Sequence, residues 1–380
     1  PLDAATIKMV AKTLLKGTEL QQLFILRGLH GMPLGPWRRE LEQVFREGPM
    51  GVRQQIMELC HDQPEILSNQ TLLQAAEARD ELSANAIGTL GQRNSLEVLP
   101  LITQLLANGS HDLRAASARA LLQLSGGQDE DAKLTMNSLL NGSCPESVAA
   151  LNRIDPAFYR LNGQQFRRLL ASKQHSVQLA ALDYARRFPE NQFIPWIISM
   201  AKNDAPLMEI RRTLKAFPSA PVVNSCLEAL TTCKQDYSNR LAVVRILRDH
   251  PDPSALEVLL RLIEKADLIL LEAITDTVRE MLTEVPLPLT APTILSSKCE
   301  QLAFRACYFN RLLSMASWEP NSELLRDYYE HQYRRFVTAL LKLRVLHHPE
   351  FPLTDALAAL QNGDSGSRSL VIELFEGTLG

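Results

Sequence analysis

The chain has 380 residues, of which 46% are hydrophobic and 22% charged, with a formal net charge of −3; that balance excludes wholesale disorder and lacks the basic excess of a general nucleic-acid binder. Aromatic residues make up only 6%, and an apolar content carried by Leu, Ala, Ile and Val suits helix-on-helix packing better than a β-sandwich. Six cysteines (Cys60, Cys144, Cys226, Cys233, Cys299 and Cys307) contain no CxxC pair, and four lie in apolar helical stretches, so they read as reduced core thiols of an intracellular protein.

Along the chain, helix breakers fall at Pro33, Pro64, Asn94, Gly126, Pro156, Pro189, Pro218, Pro251, Pro286, Pro320 and Pro349, at intervals of 29 to 35 residues. A fixed period of this size is the signature of a repeat array. Between breakers the apolar residues recur at three-and-four spacing, with no sustained two-residue alternation, so each interval is expected to hold two amphipathic helices and the fold to be all-α. The opening at Pro1, with neither an initiator Met nor a secretory signal, reads as an excised piece of a longer protein.

The clearest unit spans residues 95–127. SLEVLPLITQLLANGS predicts a first helix with Leu96, Leu99, Ile102, Leu105 and Leu106 on one face, and HDLRAASARALLQLSGG a second with Leu113, Ala116, Ala120, Leu121 and Leu124 inward. With Pro100 inside the first helix, Asp112 in the turn and Arg114 early in the second, this unit resembles a HEAT repeat. The resemblance implies a right-handed α-α superhelix, a HEAT/ARM-like solenoid of about ten to twelve helix pairs. Residues 161–191, 193–217 and 221–249 follow the same plan with degenerate sequence, and stacked neighbours would supply the core.

Charge is distributed unevenly. From Arg160 to Lys215 ten basic residues (among them Lys202) face four acidic ones (among them Asp204), whereas Asp267, Glu272, Asp276, Glu280 and Glu284 are opposed by Arg279 alone. Arg186, Arg187, Arg211, Arg212, Lys215, Arg240, Arg245 and Arg248 fall on expected second helices, which line the concave wall in HEAT arrays, so they form a candidate basic track for an acidic peptide, an anionic ligand or phosphate groups. The alternative is that these cations pair with carboxylates of neighbouring repeats.

The most apolar stretch, residues 255–274, carries too many charges to span a bilayer. Beyond it, VPLPLTAPTILS (285–296) predicts an extended, proline-rich connection. This divides the chain into a helix-pair array (1–284), a connection (285–297) and a terminal part (298–380) with two long helices, Lys298–Trp318 and Asn321–His347, plus a final short pair. Cys226 with Cys233, and Cys299 with Cys307, are about two helical turns apart, too far for a shared metal. His347 and His348 read as cations closing a helix C-terminus, and residues 327–331 (Asp, Tyr, Tyr, Glu, His) as an exposed polar face. No HExxH or glycine-rich phosphate loop occurs, so no catalytic residue, metal ligand or cofactor is assigned.

The closing stretch from Leu324, ending RSLVIELFEGTLG, is similar to the HEAT region that follows the membrane domain in bacterial major facilitator and ATP:ADP antiporter-like proteins. The resemblance implies a cytosolic domain tethered to a membrane protein and carries over no functional residue. The expected function is a non-catalytic interaction or regulatory scaffold, holding a protein or acidic peptide on its concave face. The competing expectation is a HEAT-like DNA-repair glycosylase or other nucleic-acid-binding solenoid using residues 160–215, disfavoured by the net negative charge and three widely spaced tryptophans, Trp37, Trp196 and Trp318.

Overall fold

A computed structural model describes residues 3–201, 206–231, 237–315, 322–346 and 353–362. Among them every regular element is helical: 21 α-helices and four short 3-10 turns. Lys202, Asp204, Cys233, Trp318, Pro320, His347, His348, Pro349 and the final segment from 363 lie outside the described residues. No described helix is long and apolar enough to cross a membrane. The chain divides into two compact units, Pro1–Tyr184 and Ala185–Gly380.

In the first unit the helices are α1 (Ala4–Lys16), α2 (Glu19–Gly28), α3 (Arg38–Glu47), α4 (Met50–Asp62), α5 (Asn69–Glu77), α6 (Ser83–Gln92), α7 (Leu99–Asn108), α8 (His111–Leu124), α9 (Glu130–Asn141), α10 (Cys144–Arg153) and α11 (Gly163–Leu170), with α12 (His175–Arg187) straddling the unit boundary. From α1/α2 to α9/α10, each odd helix packs on the next even one, and the even helices also pack in series, α2 on α4, α4 on α6, α6 on α8 and α8 on α10. The core between the layers is apolar, with Trp37, Phe45, Ile56, Leu72, Ile87 and Ile102 fully buried.

Local chemistry explains the helix ends. Pro100 sits in the first turn of α7, where its missing N–H would have had no partner anyway. Helices α6 and α8 stop in the same way. Asn94 (φ 53°) and Gly126 (φ 61°) take left-handed backbone, and the following amides of Ser95 and Gly127 reach back to the carbonyls of Leu90 and Leu122. That shared cap is why the period is kept at these two positions by Asn and Gly rather than Pro. The small residues of α8 act mainly on the preceding repeat: a Cβ on Gly91 of α6 would come within 2.9 Å of the Ala120 Cβ of α8.

The second unit contains α13 (Ile194–Met200), α14 (Leu207–Leu214), α15 (Ser219–Thr231), α16 (Tyr237–Leu247), α17 (Pro253–Lys265), α18 (Leu268–Met281), α19 (Ala291–Met315), α20 (Glu323–Val345) and α21 (Leu353–Asn362). Odd helices α13, α15, α17 and α19 pack in series, as do even helices α14, α16, α18 and α20, while each odd helix also packs on its even partner. Helix α21 packs on α20.

Two expectations are corrected here. The proline-rich connection is shorter than its composition suggests: α19 begins at Ala291, since Pro292 occupies its first turn and needs no donor there. The connection does not interrupt packing, because α17 meets α19 and α18 meets α20 across it. Cys307 is exposed and Cys144 half-buried rather than core thiols, whereas Cys60, Cys226 and Cys299 are buried. Cys299 and Cys307 are eight residues apart, about 80° around a helix, so they do not share a face.

Candidate functional site

The basic residues singled out in the sequence fall in the second unit and divide by what they touch. Arg211 of α14 grips the Asp249 carboxylate with two donors, Nε to Oδ2 at 2.6 Å and Nη2 to Oδ1 at 2.8 Å. Lys215, just past the end of α14, reaches the same carboxylate at 3.1 Å. Asp249 lies in the turn after α16, so this clasp joins successive even helices. Its side chain is only 9% exposed. Burial pushes the Asp249 pKa up, but the bonds and charges of Arg211 and Lys215 outweigh it and hold the carboxyl below its ordinary range. The neighbouring His250 is buried, its Nε2 has no hydrogen-bond partner, and burial lowers its pKa against the opposing pull of Asp249.

The acidic stretch serves a similar purpose. Glu280 of α18 accepts from Arg248 at 2.5 Å, and Asp276 of α18 meets Lys342 of α20 at 3.4 Å. Asp267 caps α18 through the Leu270 amide and accepts from the Tyr237 hydroxyl at 2.6 Å. Arg211, Lys215 and Arg248 are therefore tied to carboxylates of the adjacent helix pair. Of the others, Arg212 lies 4.0 Å from Glu209 on its own helix, Arg187 stacks over Phe188 at 5.4 Å, and Arg186 is half-buried. Arg240 is half-buried with its Nε unpartnered, while Arg245 is exposed and forms no ion pair among the described residues.

A different surface stands out on α19 and α20. Every buried residue of α19 lies at or before Ala306, and every buried residue of α20 at or after Phe336. The remaining halves of the two helices bury no residue among those described and meet through a ring ladder: Phe309 stacks on Phe336 (5.6 Å between centroids) and tilts against Tyr329 (6.0 Å). Outside this ladder, Phe304 (75% exposed), Tyr308 and Met315 follow helical spacing along α19, and Leu324 (86% exposed), Leu325 and Tyr328 stand on α20. The pair bears eight basic residues (Lys298, Arg305, Arg311, Arg326, Arg334, Arg335, Lys342 and Arg344) against four acidic ones (Glu300, Glu323, Asp327 and Glu330).

Comparison of the chain with protein families, with curated proteins and with solved structures gives no match. The exposed stripe of α19–α20 was missed in the sequence because apolar residues surround α19 on several sides. Helices packed on a core show apolar residues on one face, so the all-round pattern in a helix of 25 residues was the available signal. Of the group at 327–331, Asp327, Tyr328 and His331 are exposed, whereas Tyr329 turns into the ring ladder and the half-buried Glu330 bonds to Arg334 at 2.6 Å, so the group is not one exposed face. Among the described residues no cluster of three His, Cys, Asp or Glu could hold a metal ion.

Proposed function

We propose that this chain is an α-solenoid of the HEAT type that serves as a protein-interaction scaffold, and that its docking surface is the outer half of the α19–α20 hairpin. The solenoid reading is supported by the packing rule within each unit, where a helix meets its pair partner and the equivalent helix of the next pair. The observation that carries the docking reading is the exposure of Phe304, Tyr308, Met315, Leu324, Leu325 and Tyr328 on two helices whose described buried residues end at Ala306 and begin at Phe336. Large exposed apolar side chains with interleaved arginines are the composition of interface cores.

The partner is an acidic amphipathic helix. Its apolar face covers the stripe, and its carboxylates meet Arg311 and Arg326, exposed cations of the outer half that form no ion pair among the described residues. The basic track of Arg186, Arg187, Arg211, Arg212, Lys215, Arg240, Arg245 and Arg248 contributes less, since Arg211, Lys215 and Arg248 already hold carboxylates. The test is fluorescence anisotropy of a labelled leucine- and glutamate-rich amphipathic peptide against the full chain. The expected result is saturable binding that the double substitution Tyr308→Glu, Leu324→Glu abolishes with unchanged far-UV circular dichroism. Equal binding by that variant would overturn the assignment. So would a concentration-dependent dimer dissolved by the same substitutions, which would give the surface to a second copy of the chain.

A further inference from the structure

A cavity of about 320 Å³ opens between the α17–α18 turn and the inner halves of α19 and α20, lined by Glu264, Asp267, Lys298, Arg305 and Phe336 among others. Lys298 is only 7% exposed, an unusual burial for a lysine. Its ammonium donates to the carbonyls of Glu264 (3.1 Å) and Ala266 (3.0 Å) at the C-terminal end of α17. An ammonium carries three N–H groups, so one donor remains beyond these two bonds. Seven residues on, and near the same face of α19, the Arg305 guanidinium lies over the Phe336 ring at 5.7 Å. Neither cation forms an ion pair with a carboxylate among the described residues.

The acidic side chains of the lining, Glu264 and Asp267, are outnumbered by the cations Lys265, Lys298 and Arg305. Asp267 is occupied by the Tyr237 hydroxyl and the Leu270 amide, and Glu264 is exposed. Burial, and after it the charge of Arg305, hold the Lys298 pKa below the usual lysine range against the opposing pull of Asp267 and Glu264. Capping α17 accounts for Lys298 alone. It requires neither a second cation nor an open cavity beside it.

From this juxtaposition we infer a binding site for a small oxyanion, a molecule bearing a carboxylate or phosphate group, held between Lys298 as a point charge and Arg305 as a planar fork stacked on Phe336. The cavity volume lies at the small end of ligand pockets. The site is independent of the peptide surface proposed above, and peptide binding would persist in its absence.

The test is calorimetric titration of the full chain at low ionic strength with inorganic phosphate and, separately, with succinate. Saturable binding of either is expected, the preferred probe naming the group recognised. Arg305→Gln is expected to weaken it by about tenfold or more, equivalent to at least ~1.4 kcal/mol, with Arg305→Lys intermediate. Lys298→Met also removes the cap of α17, so its thermal midpoint is measured beside its binding, and Arg305→Gln decides if it fails to fold. Failure of both probes to saturate would overturn the inference. Equal binding by Arg305→Gln, or equal competition by chloride, would do the same, showing an adventitious ion only.

Discussion

Asp249 illustrates how one side chain can hold two helix pairs together. Its buried carboxylate receives two bonds from Arg211 and one contact from Lys215. Asp249→Ala would leave a partly buried guanidinium unpaired, and a loss of about 2–3 kcal/mol is expected in denaturant unfolding, below the figure for a fully buried pair because Lys215 is screened by solvent. Acid should act in two stages. His250 has a folded pKa depressed by burial, so its contribution is complete above the unfolded value of about 6.5 and is lost as pH falls from there through the lower folded value. Asp249 is also depressed, so its contribution is complete above about 3.9 and disappears only on further acidification. Thermal midpoints measured from pH 8 to 3 should show both descents, and His250→Leu should flatten the upper one while leaving the lower. In sequence, Arg211 and Lys215 were visible as cations, but their common partner was not. Asp249 is 38 positions from Arg211, and that separation becomes proximity only once successive pairs stack.

At the level of the helix, Gly88 and Gly91 of α6 make a controlled comparison. A Cβ on Gly91 would meet the backbone of Ala120 at 3.0 Å and the Gln123 side chain at 2.8 Å, whereas one on Gly88 would meet nothing within 4 Å. Gly91→Ala should therefore destabilise by about 1–3 kcal/mol through forced separation of α6 and α8. Gly88→Ala should stabilise by about 0.5–1 kcal/mol through helix propensity alone. Opposite shifts in chemical unfolding midpoint check the pair. Helix existence was legible because the breakers mark real ends: Asn94 and Gly126 take left-handed backbone, and Pro251 precedes α17. Helix starts were harder to read. Pro292 looks like a breaker in sequence and is an opening residue in the fold, because a proline's missing donor costs nothing in the first turn. The anion cavity was invisible for a related reason, since Lys298 and Arg305 acquire meaning only from the α17 carbonyls and the Phe336 ring that other helices bring to them.

At the scale of the molecule, contacts among the described residues stay local in sequence. Even the long side-chain bonds, Arg153 to Asn85 and Lys342 to Asp276, span only 68 and 66 positions. When each pair depends mainly on its neighbours, a cut between pairs should leave a foldable remainder. A fragment of residues 1–188, ending after α12, is expected to retain helical circular dichroism and a cooperative melt. A fragment without a thermal transition would contradict neighbour-only dependence. The same locality made the spacing of helix pairs readable from breakers alone, while the exposed apolar residues of α19–α20 could be recognised only after the other described helices had found their neighbours. That hairpin has a further consequence. Its inner half is anchored by buried Leu302, Ala306, Phe336 and Leu341, but the outer half buries no residue among those described, so it can open ahead of the rest. Backbone amides after Ala306 in α19 and before Phe336 in α20 should then exchange with deuterium well ahead of those in the inner turns of the same two helices. A bound partner would register first as the slowing of that exchange, making the hairpin its own reporter of occupancy.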